Sequence, residues 1–454
     1  MNNNLQSFQK HYKFYTSRDI DRIKMLENLP PDFVKQMKVV SRVLPFRSNN
    51  YIVDELIDWN NLPEDPIFQL TFPQPEMLSK DDFDLLYGLI KKKAPEEKLR
   101  ATAYDIQMGM NPHPGGQKEL NVPELDGKIL DGMQHKYDET VLFFPAHGQT
   151  CHAFCTFCFR WPQFVKLEDL KFESKNVELL IQYIKKHPEV TDVLITGGDP
   201  LFMRTKMLKR YIEPLVKEKP ANLTNIRIGT KALSFWPYRF VSDKDADDLL
   251  RLFEDVVKNG YHLSLMAHFS HPRELETPVV QKAIRRIIDT GAFVRCQSPV
   301  IRKINDNPFV WEKMWKLQVK LGAIPYYMFV ARDTGPKDYF KLSLAKAYEI
   351  FTKAYKRSSG LCRTVRGPSM SATPGKILID GIIEINDEQY FVLKFIQGRN
   401  PKWVNKIFFA NFDEDASWLN ELEPAFGEED FFFSDYLYKN TRKKDILSRH
   451  IYAK

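Results

Sequence analysis

The chain has 454 residues, 43% hydrophobic and 28% charged, with a net charge of +7, the make-up of an ordinary globular protein of two or three domains or layers. No uninterrupted apolar run reaches the roughly 18 residues that suggest a membrane span, and five cysteines, three of them in one loop, do not make a disulfide framework. The positive charge lies in short clusters such as Lys91-Lys92-Lys93 and Arg442-Lys443-Lys444, which read as solvated helix faces and leave nucleic acid an unexpected partner.

The opening stretch, MNNNLQSFQKHYKFY, lacks a signal peptide's apolar region and cleavage site, so a cytoplasmic location is expected. Residues 1–135 read as a mostly helical N-terminal region. Apolar residues recur at helical spacing from Asp32 to Leu44, after Pro30-Pro31, and Asp81–Ile90 carries acids in its first turn with lysines following. Asn111-Pro-His-Pro-Gly-Gly116 breaks the pattern as a loop, and no chemistry is assigned to this region.

From about Glu139 to Arg357 short β-rich runs alternate six times with amphipathic stretches. The predicted strands are Val141–Phe144, Val193–Thr196, Ile226–Gly229, Leu263–Ala267, Phe293–Val300 and Tyr326–Val330. The predicted helices are Asn176–Lys186, Thr205–Lys217, Ala246–Asn259, Pro278–Thr290, Phe309–Leu321 and Leu342–Arg357. This rhythm predicts an α/β fold whose right-handed crossovers curl six βα units into a (βα)6 partial barrel over residues 136–360, with loops converging at the strands' C-terminal ends. Residues 361–454 read as a mostly β C-terminal extension. Its predicted strands are Lys376–Ile385, Tyr390–Ile396 and Ile407–Phe412, with turns at Asp380-Gly381 and Gly398–Pro401, and its last forty residues form a packing tail.

After the first strand comes Cys151-His-Ala-Phe-Cys155-Thr-Phe-Cys158. Thiolates suit zinc and iron–sulfur clusters. Three of them do not close a structural zinc's tetrahedral shell, whereas a [4Fe–4S] cluster, usually held by four cysteines, would keep one iron free. Cys296 and Cys362 are isolated and read as core residues. The second strand ends in Gly197-Gly198-Asp199-Pro200, glycines that let a backbone approach a ligand closely.

The CxxxCxxC spacing, with Phe157 before the third cysteine, resembles the signature of the radical S-adenosylmethionine (SAM) superfamily. That resemblance implies a partial barrel opening with this loop and SAM chelated to the free iron. Gly197, Gly198 and Asp199 then match the motif that receives SAM's amino group. Thr191–Pro200, Arg227–Thr230, His268-Phe-Ser-His-Pro272, Gln297-Ser298 with Asn305-Asp306, and Pro325-Tyr-Tyr327 resemble the lysine 2,3-aminomutase family, the similarity running from about Tyr137 to Asp387. It implies a SAM contact at Gln297, while His268 and His271 read singly as structural or turn-capping groups. Lys376, in Thr373-Pro-Gly-Lys376, matches the lysine that carries pyridoxal phosphate (PLP), although only Gly375 remains of the glycine run that often precedes it. Such a lysine must present a neutral amine. Lys136 and Tyr137 match groups near the PLP phosphate, with a further family arginine replaced near Thr140. Arg160 matches the arginine that holds the substrate's α-carboxylate, a bidentate task that suits a guanidinium.

The implied activity is a radical isomerase that moves an α-amino group to the β-carbon, fed one electron by a flavodoxin- or ferredoxin-like donor. Lysine-using members place two aspartates against the substrate's ε-ammonium; here the matching positions hold Arg332 and Ser369, with Asp333 one residue away. Arginine would repel lysine and could pair with an acidic side chain, so glutamate or another amino acid is the expected substrate. No cysteine follows Cys362, so the zinc of some relatives is not expected. A homo-oligomer is compatible with the terminal extensions. The alternatives are a radical SAM enzyme without PLP acting on a peptide or RNA, and a non-catalytic iron–sulfur protein.

Overall fold

The structure, a computed structural model, describes residues 8–165 and 167–437. The Arg442-Lys443-Lys444 cluster lies outside them. Among the described residues eleven strands form one mixed sheet in which every strand neighbours the next in chain order. They are β1 (Met133–Tyr137), β2 (Thr140–Phe143), β3 (Asp192–Ile195), β4 (Asn225–Thr230), β5 (His262–His268), β6 (Phe293–Val300), β7 (Ile324–Val330), β8 (Arg366–Ser371), β9 (Gly375–Ile385), β10 (Glu388–Gly398) and β11 (Ile407–Asn411). Strands β2 to β8 run parallel, and β1 and β9 to β11 are antiparallel to their neighbours.

The six predicted strands and six predicted helices are present within a few residues of their expected bounds. The reason is amphipathic periodicity: Ala246–Lys258 buries Leu249, Leu252, Phe253 and Val256 on one face, each large side chain contributing about 1.5–3 kcal/mol. Caps fix the starts. The Asn176 side chain accepts from the Leu179 amide at 3.0 Å, and Ser343 from the Lys346 amide. Along the strands Val193, Ile195, Ile226 and Ile228 are fully buried against helices. Several alternate positions, Asp192, Arg227 and Gln297 among them, are half-buried and polar, with Leu194 apolar, so the other face of the sheet is the more polar one and forms the wall of a chamber.

Three expectations are corrected. Met133–Tyr137 is a strand paired with β2, so the sheet begins inside the region read as helical. Arg366–Ser371 adds a seventh parallel strand that was not among the predicted ones. Asp380-Gly381 is not a turn; the chain passes through it inside β9 with a register shift between Ile379 and Gly381, and the hairpin turns at Asn386-Asp387, whose φ angles are +52° and +65°. Four α-helices, Pro31–Val40, Pro66–Thr71, Lys80–Lys91 and Glu96–Gly109, stand in the N-terminal region. That region shares one apolar core with the sheet, running from Ile20 to Val365. A second core lies under β9–β11, where Phe433 packs against Phe395 and Phe408. Cys296 and Cys362 are buried in the first core. No helix among the described residues is long and apolar enough to cross a membrane.

Lys136 on β1 donates to the carbonyl of Ala372, between β8 and β9. The two lie at opposite ends of the parallel array, so the sheet must curve back on itself.

Candidate active site

The cysteine loop leaves the C-terminal end of β2 and is tied on all sides. The Asp199 amide donates to Thr150 O at 2.7 Å, Cys158 N to Cys155 O at 3.1 Å, and Thr156 N to Leu70 O at 2.9 Å. Burial pushes the three thiols up, and Cys151 feels both other sulfurs while Cys155 feels that of Cys158. No group of three His, Cys, Asp or Glu among the described residues forms a site for a single metal ion. The Cys151 thiol lies in the field of the other two within this one loop.

Gly197 and Gly198 follow β3 and lie against this loop. Gly197 has φ +138°, and a Cβ there would stand 2.3 Å from the Gln149 amide nitrogen. A Cβ on Gly198 would stand 2.4 Å from Thr150 N and 2.6 Å from Thr150 O. Backbone cannot yield as a side chain can, so Gly198→Ala is expected to displace the cysteine loop. The cluster expected of the cysteine spacing should then assemble poorly, so after anaerobic reconstitution the variant should hold well under half of the wild type's iron, with iron assay as the check.

Asp199 is buried, and its carboxylate accepts from Thr230 Oγ1 at 2.8 Å, Lys231 N at 2.8 Å and Leu201 N at 3.0 Å. It pins the end of β3 to that of β4. Beside it Lys231 Nζ pairs with the buried Glu274 at 2.7 Å, and Glu274 also accepts from the amides of Ser270 and His271. Gln297 Nε2 lies 2.8 Å from His268 Nε2. Burial holds that imidazole down to about 3, so it is neutral and accepts from the amide. His271 accepts from Arg273 N, a turn-capping role.

The remaining candidates meet in the chamber. Arg160 is buried, its guanidinium 4.0 Å from the Phe144 ring and 3.5 Å from Gln117 Oε1, while Nε and Nη2 have no partner. Lys376 Nζ sits 4.2 Å from the Tyr327 ring, with no hydrogen bond or carboxylate partner among the described residues. Burial first, then Arg227, Arg366 and Arg332, push its amine well below the usual lysine range, toward the neutral form. Lys136 is pushed the same way by burial, Arg399, Arg332 and Lys376. Tyr137 is raised by burial and stays a neutral phenol. The Arg332 guanidinium lies 4.5 Å from the Phe159 ring, next to Tyr137. Asp333 turns outward: Asn111 Nδ2 donates to its carbonyl at 2.9 Å, and it lines an outer cleft of about 890 Å³ with Met77, Lys303 and Tyr339. Ser369 is buried against Met328 O. The chamber's charged neighbours are therefore mostly cations, with Asp192 spent on Arg227 at 2.8 Å, and they form a seat for anions.

Sequence reasoning missed four residues here: Lys231, Glu274, Arg366 and Arg47. Arg366 lies 4.2 Å from the same Tyr327 ring that Lys376 covers. Its only available signal was an arginine at the head of a strand that went unrecognised.

No protein-family model matches the chain. Curated relatives do. A protein of Aquifex aeolicus (strain VF5) named "Putative L-lysine 2,3-aminomutase" is 28% identical over 407 residues, 89% of this chain and 95% of that one. The L-lysine 2,3-aminomutase of Acetoanaerobium sticklandii is 27% identical over 61% of this chain and 63% of its own length. That of Bacillus subtilis (strain 168) is 25% identical over 76% of this chain and 63% of its own length, so the match spans somewhat less than two thirds of these two proteins. Among solved structures, a radical SAM methyltransferase from Sphaerobacter thermophilus superposes with a TM-score of 0.36 at 14% identity, covering 63% of this chain and 93% of that one.

Proposed function

We propose that this chain, a lysine 2,3-aminomutase-like radical SAM protein, is a PLP-dependent amino acid 2,3-aminomutase acting on a dicarboxylic α-amino acid such as glutamate. The observation that carries the reading is Arg160: a buried guanidinium with two unpartnered nitrogens, two residues from the last cysteine and in the field of Arg332. A buried unpaired donor costs about 1–3 kcal/mol, and a substrate carboxylate would relieve that cost.

The residues present fit the implied groups. Cys151, Cys155 and Cys158 would hold a [4Fe–4S] cluster, with Gly197, Gly198 and Gln297 on the SAM side. Lys376 would carry PLP, and Lys136 and Tyr137 would face its phosphate, whose negative charge would favour the ammonium form of Lys136 that burial and the cations Arg399 and Arg332 suppress. When bound, cluster and SAM supply a radical that takes hydrogen from the β-carbon, and PLP supplies the electron sink for nitrogen migration. The protein's own work is placement. Arg160 orients the α-carboxylate, Arg332 the side-chain carboxylate, and Tyr327 and Phe329 keep water from the Lys376 amine.

The curved sheet, in chain order, is read as a partial barrel whose six βα units lie within residues 136–360, extended by β1 before them and by β8 to β11 after them. Delivery of one electron requires a flavodoxin- or ferredoxin-like donor. A homo-oligomer and a cytoplasmic location complete the proposal.

Product analysis tests the substrate. Reconstituted protein with SAM, PLP and reductant should convert glutamate, and lysine at least about 100-fold less efficiently, because a like charge placed against Arg332 costs several kcal/mol. Arg332→Asp should narrow or invert that preference. Efficient β-lysine formation by the wild type would overturn it.

A further inference from the structure

We infer that Arg47, in the N-terminal region, positions the cysteine loop and sets the potential at which its cluster takes up an electron; the inference rests on the reading of Cys151, Cys155 and Cys158 as cluster ligands. Arg47 opens a short strand, Arg47–Asn49, antiparallel to Phe14–Thr16. Its Nη1 donates to Thr150 Oγ1 at 2.6 Å and to Cys151 O at 3.1 Å. Its own carbonyl accepts from Phe154 N at 2.8 Å. One residue thus grips both ends of the span that contains Cys151 and leads to Cys155.

Its neighbours act on the same span. The Tyr12 hydroxyl donates to His152 O at 2.7 Å, and Asn49 Nδ2 donates to the same carbonyl at 3.1 Å. Between Cys155 and Cys158, Thr156 Oγ1 donates to Gln69 O at 2.7 Å. Both inter-cysteine segments are therefore held from the N-terminal region.

The charge matters separately. The guanidinium lies 5.0, 5.2 and 5.8 Å from the rings of Phe154, Phe14 and Phe202, and among the described residues no carboxylate pairs with it and its buried Nε has no acceptor. A positive charge in apolar surroundings is screened little. Reduction moves one electron from the external low-potential carrier onto the cluster and adds one negative charge beside Cys151. An uncompensated arginine there favours the reduced state and raises the potential. A carboxylate partner would cancel this effect.

The test compares the full-length wild type, Arg47→Lys, Arg47→Gln and Thr150→Val after anaerobic reconstitution. Two quantities are read: the midpoint potential by EPR-monitored redox titration, and the rate of iron loss to a chelator. Arg47→Gln should have a more negative midpoint and lose iron several-fold faster. Arg47→Lys should keep the wild-type midpoint while losing iron faster, and so should Thr150→Val, which breaks the grip but leaves the charge. Wild-type midpoints and iron-loss rates in Arg47→Gln would overturn the inference. Should that variant fail to fold, wild-type iron retention in both Arg47→Lys and Thr150→Val would do so. A wild type that takes up no cluster overturns the cluster reading and this inference with it.

Discussion

Lys376→Ala is expected to lose turnover by roughly 10⁴-fold or more, the scale on which enzymes suffer when a covalently acting residue is removed. The lysine stands on β9 with its amine against Tyr327 and Phe329, and burial and three arginines favour its neutral form. A neutral amine is what attack on the PLP aldehyde requires. Borohydride treatment should fix PLP to the wild type and not to the variant. Lys376→Arg, which keeps a long side chain against the rings but stays protonated, should fail in the same way. The sign of the pH effect follows from the neighbours. Arg366 disfavours the ammonium form, so Arg366→Gln should raise the Lys376 pKa and move cofactor attachment to higher pH. Attachment at unchanged pH in Arg366→Gln, or PLP fixed equally well to Lys376→Ala, would contradict this assignment.

Arg160→Met should lower activity without lowering stability. Breaking a buried carboxylate–guanidinium pair costs about 3–5 kcal/mol, which at tenfold per 1.4 kcal/mol is a loss in kcat/KM of two to three and a half powers of ten. In the free protein the same guanidinium is buried with Nε and Nη2 unpaired. A methionine of similar length against Phe144 removes that cost, so the thermal midpoint without substrate should rise or stay level. A purely structural arginine would give the reverse: lower stability with turnover retained in the folded fraction.

What was legible follows from period and spacing. Six strands and six helices could be read because their apolar residues repeat at 2.0 and 3.6 residues and their helices carry caps such as Asn176 and Ser343. The candidate site residues could be named where the chain itself brings them close, as in Cys151–Cys158, or where a family resemblance singles them out, as at Arg160 and Lys376. Two strands were hidden. Met133–Tyr137 carries Gln134 and Lys136 on one face and His135, bonded to Tyr183 of the neighbouring helix, on the other, and Arg366–Ser371 contains Gly367 and Pro368, which mimic a loop. Asp380-Gly381 carries a turn signal that the sheet overrides with a bulge, its glycine meeting Val392 across the register shift. Arg47 lay more than a hundred residues from the loop it grips, and no local pattern encodes such a contact. The outward turn of Asp333 likewise depends on Asn111, a residue from a distant helix end.

The central claim is that one chamber joins a radical-generating cluster to an amino acid held by Arg160 and Arg332. Its most direct test is anaerobic: reconstituted protein with SAM, PLP and a reductant, with 5′-deoxyadenosine followed in the presence of glutamate, lysine, arginine or no amino acid. Cleavage stimulated by glutamate, accompanied by its β-isomer and lost in Arg160→Met, is the expected result. Slow cleavage indifferent to every amino acid would contradict it.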